Sequence, residues 1–301
     1  MATPDVDVRS DPVPDRLALG AFAGAILIGG SNFVAVRYSN RELDPLWGAG
    51  LRFALAAAVF GLLVATLRLP LPRGRVLGLV VMYGLLAFTA AYGCLYWAMQ
   101  EVPAGVAAVV LAVGPLLTLL LAVAHRMERL NGRALAGAVI ALGGSALIFF
   151  QPGAVAFGWT SFALLVIAAL SAAESVVVSK RCGQLHPVVM NFIGMTAGAG
   201  ALLVVSAVAG ENLGMPDAGK TQIALVYLVA ATVALFLMVL VVVQRWAASS
   251  TSYIFVLMPV VAVALGALVA DERITATTIL GGGIVCAGVY LGALARRVSS
   301  V

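Results

Sequence analysis

Charge is scarce in this sequence. Of 301 residues, 18 are Lys or Arg and 13 are Asp or Glu, so charged residues make up 10% of the chain. A soluble domain carries about 25%. That shortage excludes an ordinary water-facing surface, because the ionic groups to build one are missing. Histidine and cysteine are scarcer still. His125 and His186 lie far apart, and Cys94, Cys182 and Cys286 are an odd number without close spacing. No metal site can be assembled from them, and no cofactor is implied. Cys94 and Cys286 sit in apolar runs and read as small core residues. Enzyme signatures are also missing: no His-Glu-x-x-His, no Gly-x-Ser-x-Gly, no Walker loop, and no aspartate pair within an apolar run. No loop is long enough to form a domain. The formal charge of +5 is spread over short loops, which gives no nucleic-acid signal.

What is present is apolar surface, 62% of the residues. Ten apolar segments emerge, at about 17–37, 46–67, 76–97, 103–124, 133–150, 159–179, 188–209, 222–244, 250–270 and 277–295. Each approaches the roughly 20 residues that cross a bilayer. Backbone groups in lipid must be satisfied within their own segment, so all ten are helices. Residues 1–16, with Asp5, Asp7, Asp11 and Asp15 among prolines, are expected to form a disordered tail. They lack the basic start of a signal peptide.

One stretch occurs twice. Shifting Gln100–Leu147 by 144 positions gives Gln244–Leu291. Pro115 then falls on Pro259, Glu128-Arg129 on Glu272-Arg273, Gly137 on Gly281 and Gly144 on Gly288. Each copy reads as an apolar helix with a central proline, a Glu-Arg turn and a Gly-rich helix. Repeat 1 covers 17–150 and repeat 2 covers 158–297. Five helices per repeat is an odd number, so the second repeat enters the membrane upside down relative to the first. The fold expected is therefore an all-α polytopic membrane protein of ten transmembrane helices in two inverted five-helix repeats.

Lys and Arg fix the orientation. With the N-terminus inside, 13 of the 18 fall in inside segments, 4 outside, and Arg52 within helix 2. Both termini are thus expected in the cytoplasm, with the protein in the plasma or inner membrane.

The Arg52-Phe53-Ala-Leu-Ala-Ala run, the prolines of helices 4 and 9, the Glu-Arg turns and the Gly-rich helices 5 and 10 together resemble the EamA-type transporters of the drug/metabolite transporter superfamily. The resemblance runs from about residue 17 to 297. The family's usual Trp-Gly pair in helix 1 is replaced here by Gly29-Gly30. The resemblance implies a transporter, not an enzyme, and within such families exporters of amino acids and other metabolites.

Polar residues inside a membrane are expensive, so each needs a reason. Glu174 lies about 15 residues into helix 6, on a face shared with Ser171 and Ser175. It reads as a proton carrier, a substrate-amine ligand or an interhelical hydrogen bond. An offset of 142 aligns Pro45 with Pro187 and places Asn32 on Glu174, at equivalent depths from opposite sides. Arg52 lies roughly 10 Å below the outer surface and could bind a carboxylate. It differs from Glu174 by roughly 12 Å in depth, so the two are not expected to pair. Tyr92 and Tyr96 share a helix face and are candidates for a solute cavity. Asn191 lies about level with Glu174. Trp47, Trp97 and Trp246 read as an interfacial belt. Ser249 to Tyr253 read as helix-capping residues. Pro115 and Pro259 are gating candidates. Three small-x3-small pairs, Gly20/Gly24, Gly194/Gly198 and Gly288/Gly292, read as close-packing motifs.

The function expected is a secondary transporter exporting small organic metabolites such as amino acids by alternating access, with proton coupling. The partners are a small solute and membrane lipid, and the protein is a monomer or homodimer. A nucleotide-sugar or lipid-linked substrate carrier is the alternative, against which the sparse cations argue. An intramembrane lipid enzyme using Glu174 and Arg52 is disfavoured by their separation.

Overall fold

The computed structural model describes residues 16–39, 42–98, 100–101, 110–111, 113–149, 158–258, 260–261 and 276–294. Among these residues there are ten helical elements and no strand. In repeat 1 they are α1 (Arg16–Ser39), α2 (Pro45–Thr66), α3 (Gly74–Ala98), α4 (Gly114–Ala124) and α5 (Gly132–Phe149). In repeat 2 they are α6 (Trp159–Arg181), α7 (Pro187–Ala209), α8 (Gly219–Arg245), α9 (Ala248–Met258) and α10 (Ala276–Val289). A π turn over Leu85–Ala90 interrupts α3, and another, Tyr290–Leu294, extends α10. Five of these, α2, α3, α6, α7 and α8, are long and apolar enough to cross a membrane.

The packing obeys the repeat. Helices α1 and α8 pair, and so do their counterparts α6 and α3. Helix α2 pairs with its own counterpart α7, and α5 with α10. A pseudo-two-fold axis between the halves accounts for all four contacts. The glycines give its direction. A Cβ on Gly137 would lie 2.6 Å from the Gly288 carbonyl oxygen, and one on Gly144 would lie 2.7 Å from that of Gly281. The early glycine of α5 thus meets the late one of α10, and the reverse, so the repeated helices run antiparallel. Helices α2 and α7 do the same, with Gly50 against Leu203 and Gly61 against Phe192. The halves are inverted repeats.

Small residues let helix backbones touch where no water drives them together. Gly194 and Gly198 accept Gly84 and Phe88 of α3, and Gly288 accepts the Ala141 backbone. Of the third pair, Gly24 meets Met238 while Gly20 has nothing near it. Gly144→Leu should therefore remove most folded protein from the membrane, since the atoms it would strike are backbone and cannot yield; overpacking costs about 1–3 kcal/mol where atoms can move. Gly20→Ala should be neutral. Abundance of the monodisperse peak in detergent measures both.

Carboxylates hold the bundle ends. Glu211 accepts from the backbone N–H of Leu46 (3.1 Å) and Trp47 (2.7 Å), capping α2 from the α7–α8 loop. Glu42 accepts from Asp217 and Ala218 at the start of α8. At the other end, which carries Arg73, Arg75, Lys180, Arg181 and Arg245, Glu128 accepts from the Ser249 N–H and hydroxyl and caps α9. Ser249 is thus the capped residue, and a repeat-1 carboxylate is its cap.

Two more expectations change. Trp246 is buried against Phe22, with ring centroids 5.0 Å apart, and belongs to the core instead of an interfacial belt. Trp47 donates its indole N–H to the Gly214 carbonyl, while Trp97 is exposed. Cys286 is exposed on α10 and is no core residue.

Candidate functional site

A cavity of about 160 Å³ lies between the repeats. That is many times the roughly 10–15 Å³ that admits one water. Repeat 1 contributes α1 to α4, and repeat 2 contributes α6, α8 and α9. The α5–α10 pair stands apart from it. Helix α6 presents only alanines and Val176 to this space, which is why room remains.

Four sequence candidates meet there: Asn32, Arg52, Tyr92 and Tyr96. Arg52 is 3% exposed. Its Nε–H donates to the Thr232 hydroxyl at 2.6 Å, and Thr232 donates onward to the Leu228 carbonyl at 2.6 Å. The guanidinium lies over the Phe53 and Tyr92 rings, at 5.3 and 5.8 Å. Those contacts favour a cation. Yet no acidic side chain pairs with Arg52 among the described residues, and its terminal nitrogens have no acceptor there. A buried cation with no acid paired to it among the described residues is costly on its own. Asn32 is buried too, and its side-chain oxygen has no partner. The Tyr92 and Tyr96 ring centroids are 6.1 Å apart with the rings tilted by 41°, and Tyr92 is edge-on to Phe53.

Pro115 is not in the middle of a helix. It opens α4, whose first residue Gly114 lines the cavity. Proline has no N–H to continue a helix but fits the first turn without loss. Residues 110–111 are helical and Val113 is in a turn, so the backbone is interrupted just before Pro115. No side chain caps the α4 N-terminus, and the Val113 N–H bonds back to the Val110 carbonyl at 3.3 Å. Pro259 lies outside the described residues.

Glu174 and Asn191 are not on the cavity wall. Glu174 Oε1 is 2.8 Å from His125 Nε2, just past the end of α4, and His125 Nδ1 is 2.7 Å from Arg181 Nη2. Arginine only donates, so Nδ1 accepts and Nε2 carries the ring proton towards Glu174. Oε2 of Glu174 is buried without a partner. This cluster ties α4 to α6 at the basic end. Asn191 is fully buried, accepting a long 3.5 Å hydrogen bond from the Tyr83 hydroxyl, while its side-chain nitrogen has no partner. Sequence reasoning missed His125, Thr232 and Thr118; Thr118 lines the cavity, and so does Ser252 of the stretch read as helix-capping. Counting from the helix ends puts His125 just past α4 and Glu174 seven residues, roughly 10 Å, inside the end of α6, so depth alone does not pair them.

The sequence matches the EamA-like transporter family over residues 16–150 and again over 159–293. The chain belongs to the EamA-like transporter family. It is similar to a protein of Escherichia coli (strain K12) named "Probable amino-acid metabolite efflux pump", 29% identical across 90% of this chain and 93% of that one. The "Uncharacterized inner membrane transporter YedA" of the same organism is 31% identical across 92% and 90%. A "Probable terminal-alkyne amino-acid exporter" of Streptantibioticus cattleyicolor is 30% identical over half of each chain. A solved crystal structure superimposes with a TM-score of 0.79 at 19% identity, over 94% of this chain and 99% of that one, a likeness of fold. This EamA-like chain is a multi-pass membrane transporter of small molecules and not an enzyme.

Proposed function

We propose that this transporter is a secondary carrier that exports amino acids or close relatives by alternating access. The observation that carries this is Arg52, a buried cation whose terminal nitrogens face no acceptor among the described residues, in a cavity between inverted repeats. A guanidinium takes a carboxylate in two parallel hydrogen bonds. The unpartnered oxygen of Asn32 suits an ammonium group, and Tyr92, Tyr96 and Phe255 suit an apolar side chain. The three together describe a zwitterion with an apolar body. The names of the two amino-acid exporters among the relatives agree with it. One cation among the described lining residues suits a nucleotide sugar poorly.

Repeats 1 and 2 act as one transport unit, both termini lie in the cytoplasm, and a proton taken at Glu174 couples export to the gradient. The decisive assay uses purified protein in liposomes loaded with labelled amino acids. Efflux of at least one amino acid above protein-free liposomes is expected, and no movement of any of the twenty would refute the reading. Orientation is checked separately. A cysteine at Met215 should react with an impermeant thiol reagent added to intact cells, and one at Gln184 should not. The opposite pattern would invert the assignment.

A further inference from the structure

A second cavity, about 50 Å³, adjoins the first. The two share Ala91, Tyr92, Ala172, Val176 and Phe255 as walls. Beyond those, the smaller one is bounded by Tyr83, Ser175, Ser179, Val239 and Val243.

The three helices that pass from one cavity to the other agree on its direction. Along α6 the lining runs from Ala168 through Ala172 and Ser175 to Ser179, roughly 16 Å at 1.5 Å per residue. Lys180 and Arg181 come next. Along α8 it runs from Leu235 to Val243, two residues before Arg245. Along α3 it runs backwards from Tyr96 to Tyr83, towards Arg75. All three stripes therefore lead to the basic end of the bundle. Ser175 and Ser179 spend their hydroxyl protons on the Ala172 and Val176 carbonyls, at 2.7 and 2.6 Å. They leave only acceptor lone pairs on the path, which binds a solute weakly and lets it pass. Tyr83 closes the far end, held by the long bond to Asn191.

We propose that the smaller cavity is the basic-end leg of the solute path, with Ser175 and Ser179 as its polar wall and Tyr83 as its terminal plug. It carries the carboxylate-bearing solute that the central cavity holds, and so rests on that reading of the central cavity. The route differs from the α4–α6 seam, which the His125–Glu174–Arg181 cluster closes.

The test needs no identified solute. Cys94→Ser, Cys182→Ser and Cys286→Ser remove the native thiols; burial already pushes Cys182 up to about 11, which makes it slow to react. Ala169→Cys then reports on the central cavity alone. A small charged methanethiosulfonate is added to sealed vesicles of either orientation, and the modified fraction is read by mass. Ala169→Cys should react from the basic-end side. Adding Ser179→Trp should slow that reaction by about tenfold or more, without slowing reaction from the opposite side. An unchanged rate would overturn the proposal while leaving the central cavity standing. No reaction of Ala169→Cys from either side would overturn both. Should the Trp variant not fold, Ser179→Cys replaces it: reaction from the basic-end side supports the path, and no reaction there sinks it.

Discussion

Arg52→Met should abolish transport and leave the protein at least as stable as the parent. Most buried charges cannot be removed without orphaning a partner, which costs about 3–5 kcal/mol. Arg52 has no acidic partner to orphan among the described residues. It donates to Thr232, whose own hydroxyl proton is already committed to Leu228. A methionine would fill the same slot between Phe53 and Tyr92, and buried ionic groups exchanged for apolar ones of similar volume are often neutral or stabilising. Function moves the other way. If the solute carboxylate is held by the guanidinium, losing it costs about 2–5 kcal/mol, or roughly thirtyfold to several thousandfold in apparent affinity. Arg52→Lys should recover little, because an ammonium cannot make the bidentate pair. Thermal unfolding in detergent and liposome efflux measure the two effects. A less stable Arg52→Met protein that still transports would make Arg52 a packing clamp.

The architecture was legible because repeats and glycines are periodic. Gly137/Gly281 and Gly144/Gly288 were found as a sequence offset, and the same four residues form the α5–α10 contact. Arg52 is placed by counting residues along its helix, and Tyr92 and Tyr96 by their spacing on one helix face; all three line the cavity. Long-range partners could not be counted. His125 is 49 positions from Glu174, and Glu128 is 121 from the helix end it caps. Nothing local marks either pairing. Trp246 misled for a related reason: its position just past the end of α8 fits an interfacial ring, but Phe22 of α1 covers it. In sequence Pro115 reads as the central proline of one apolar helix and as a gating candidate. The break before it depends on a missing N–H, and it turns a central proline into a helix start beside the solute space.

Glu174→Gln should leave the folded protein in the membrane and abolish pH-dependent net transport. Both halves of that expectation come from the His125 cluster. A glutamine keeps an oxygen to accept from His125 Nε2, 2.8 Å away, so α4 and α6 stay joined. It cannot ionise, so it cannot carry a proton. In the native cluster an incoming proton has two sites. On Glu174 it removes the charge that holds the Nε2–H. On His125 it places an N–H at Nδ1 against the Arg181 guanidinium, 2.7 Å away, where two donors repel. Either way one link between α4 and α6 weakens. Both helices also line the central cavity, and under the proposed coupling they would carry the effect of protonation at the basic end to the solute. Under the proposed coupling, proton uptake frees this seam and proton release closes it again. Efflux followed across a pH series in liposomes separates the outcomes. The parent should show a pH-dependent rate, and Glu174→Gln a flat one limited to exchange. Should Glu174→Gln follow the parent curve, Glu174 would be a structural strut and the proton would have to travel elsewhere.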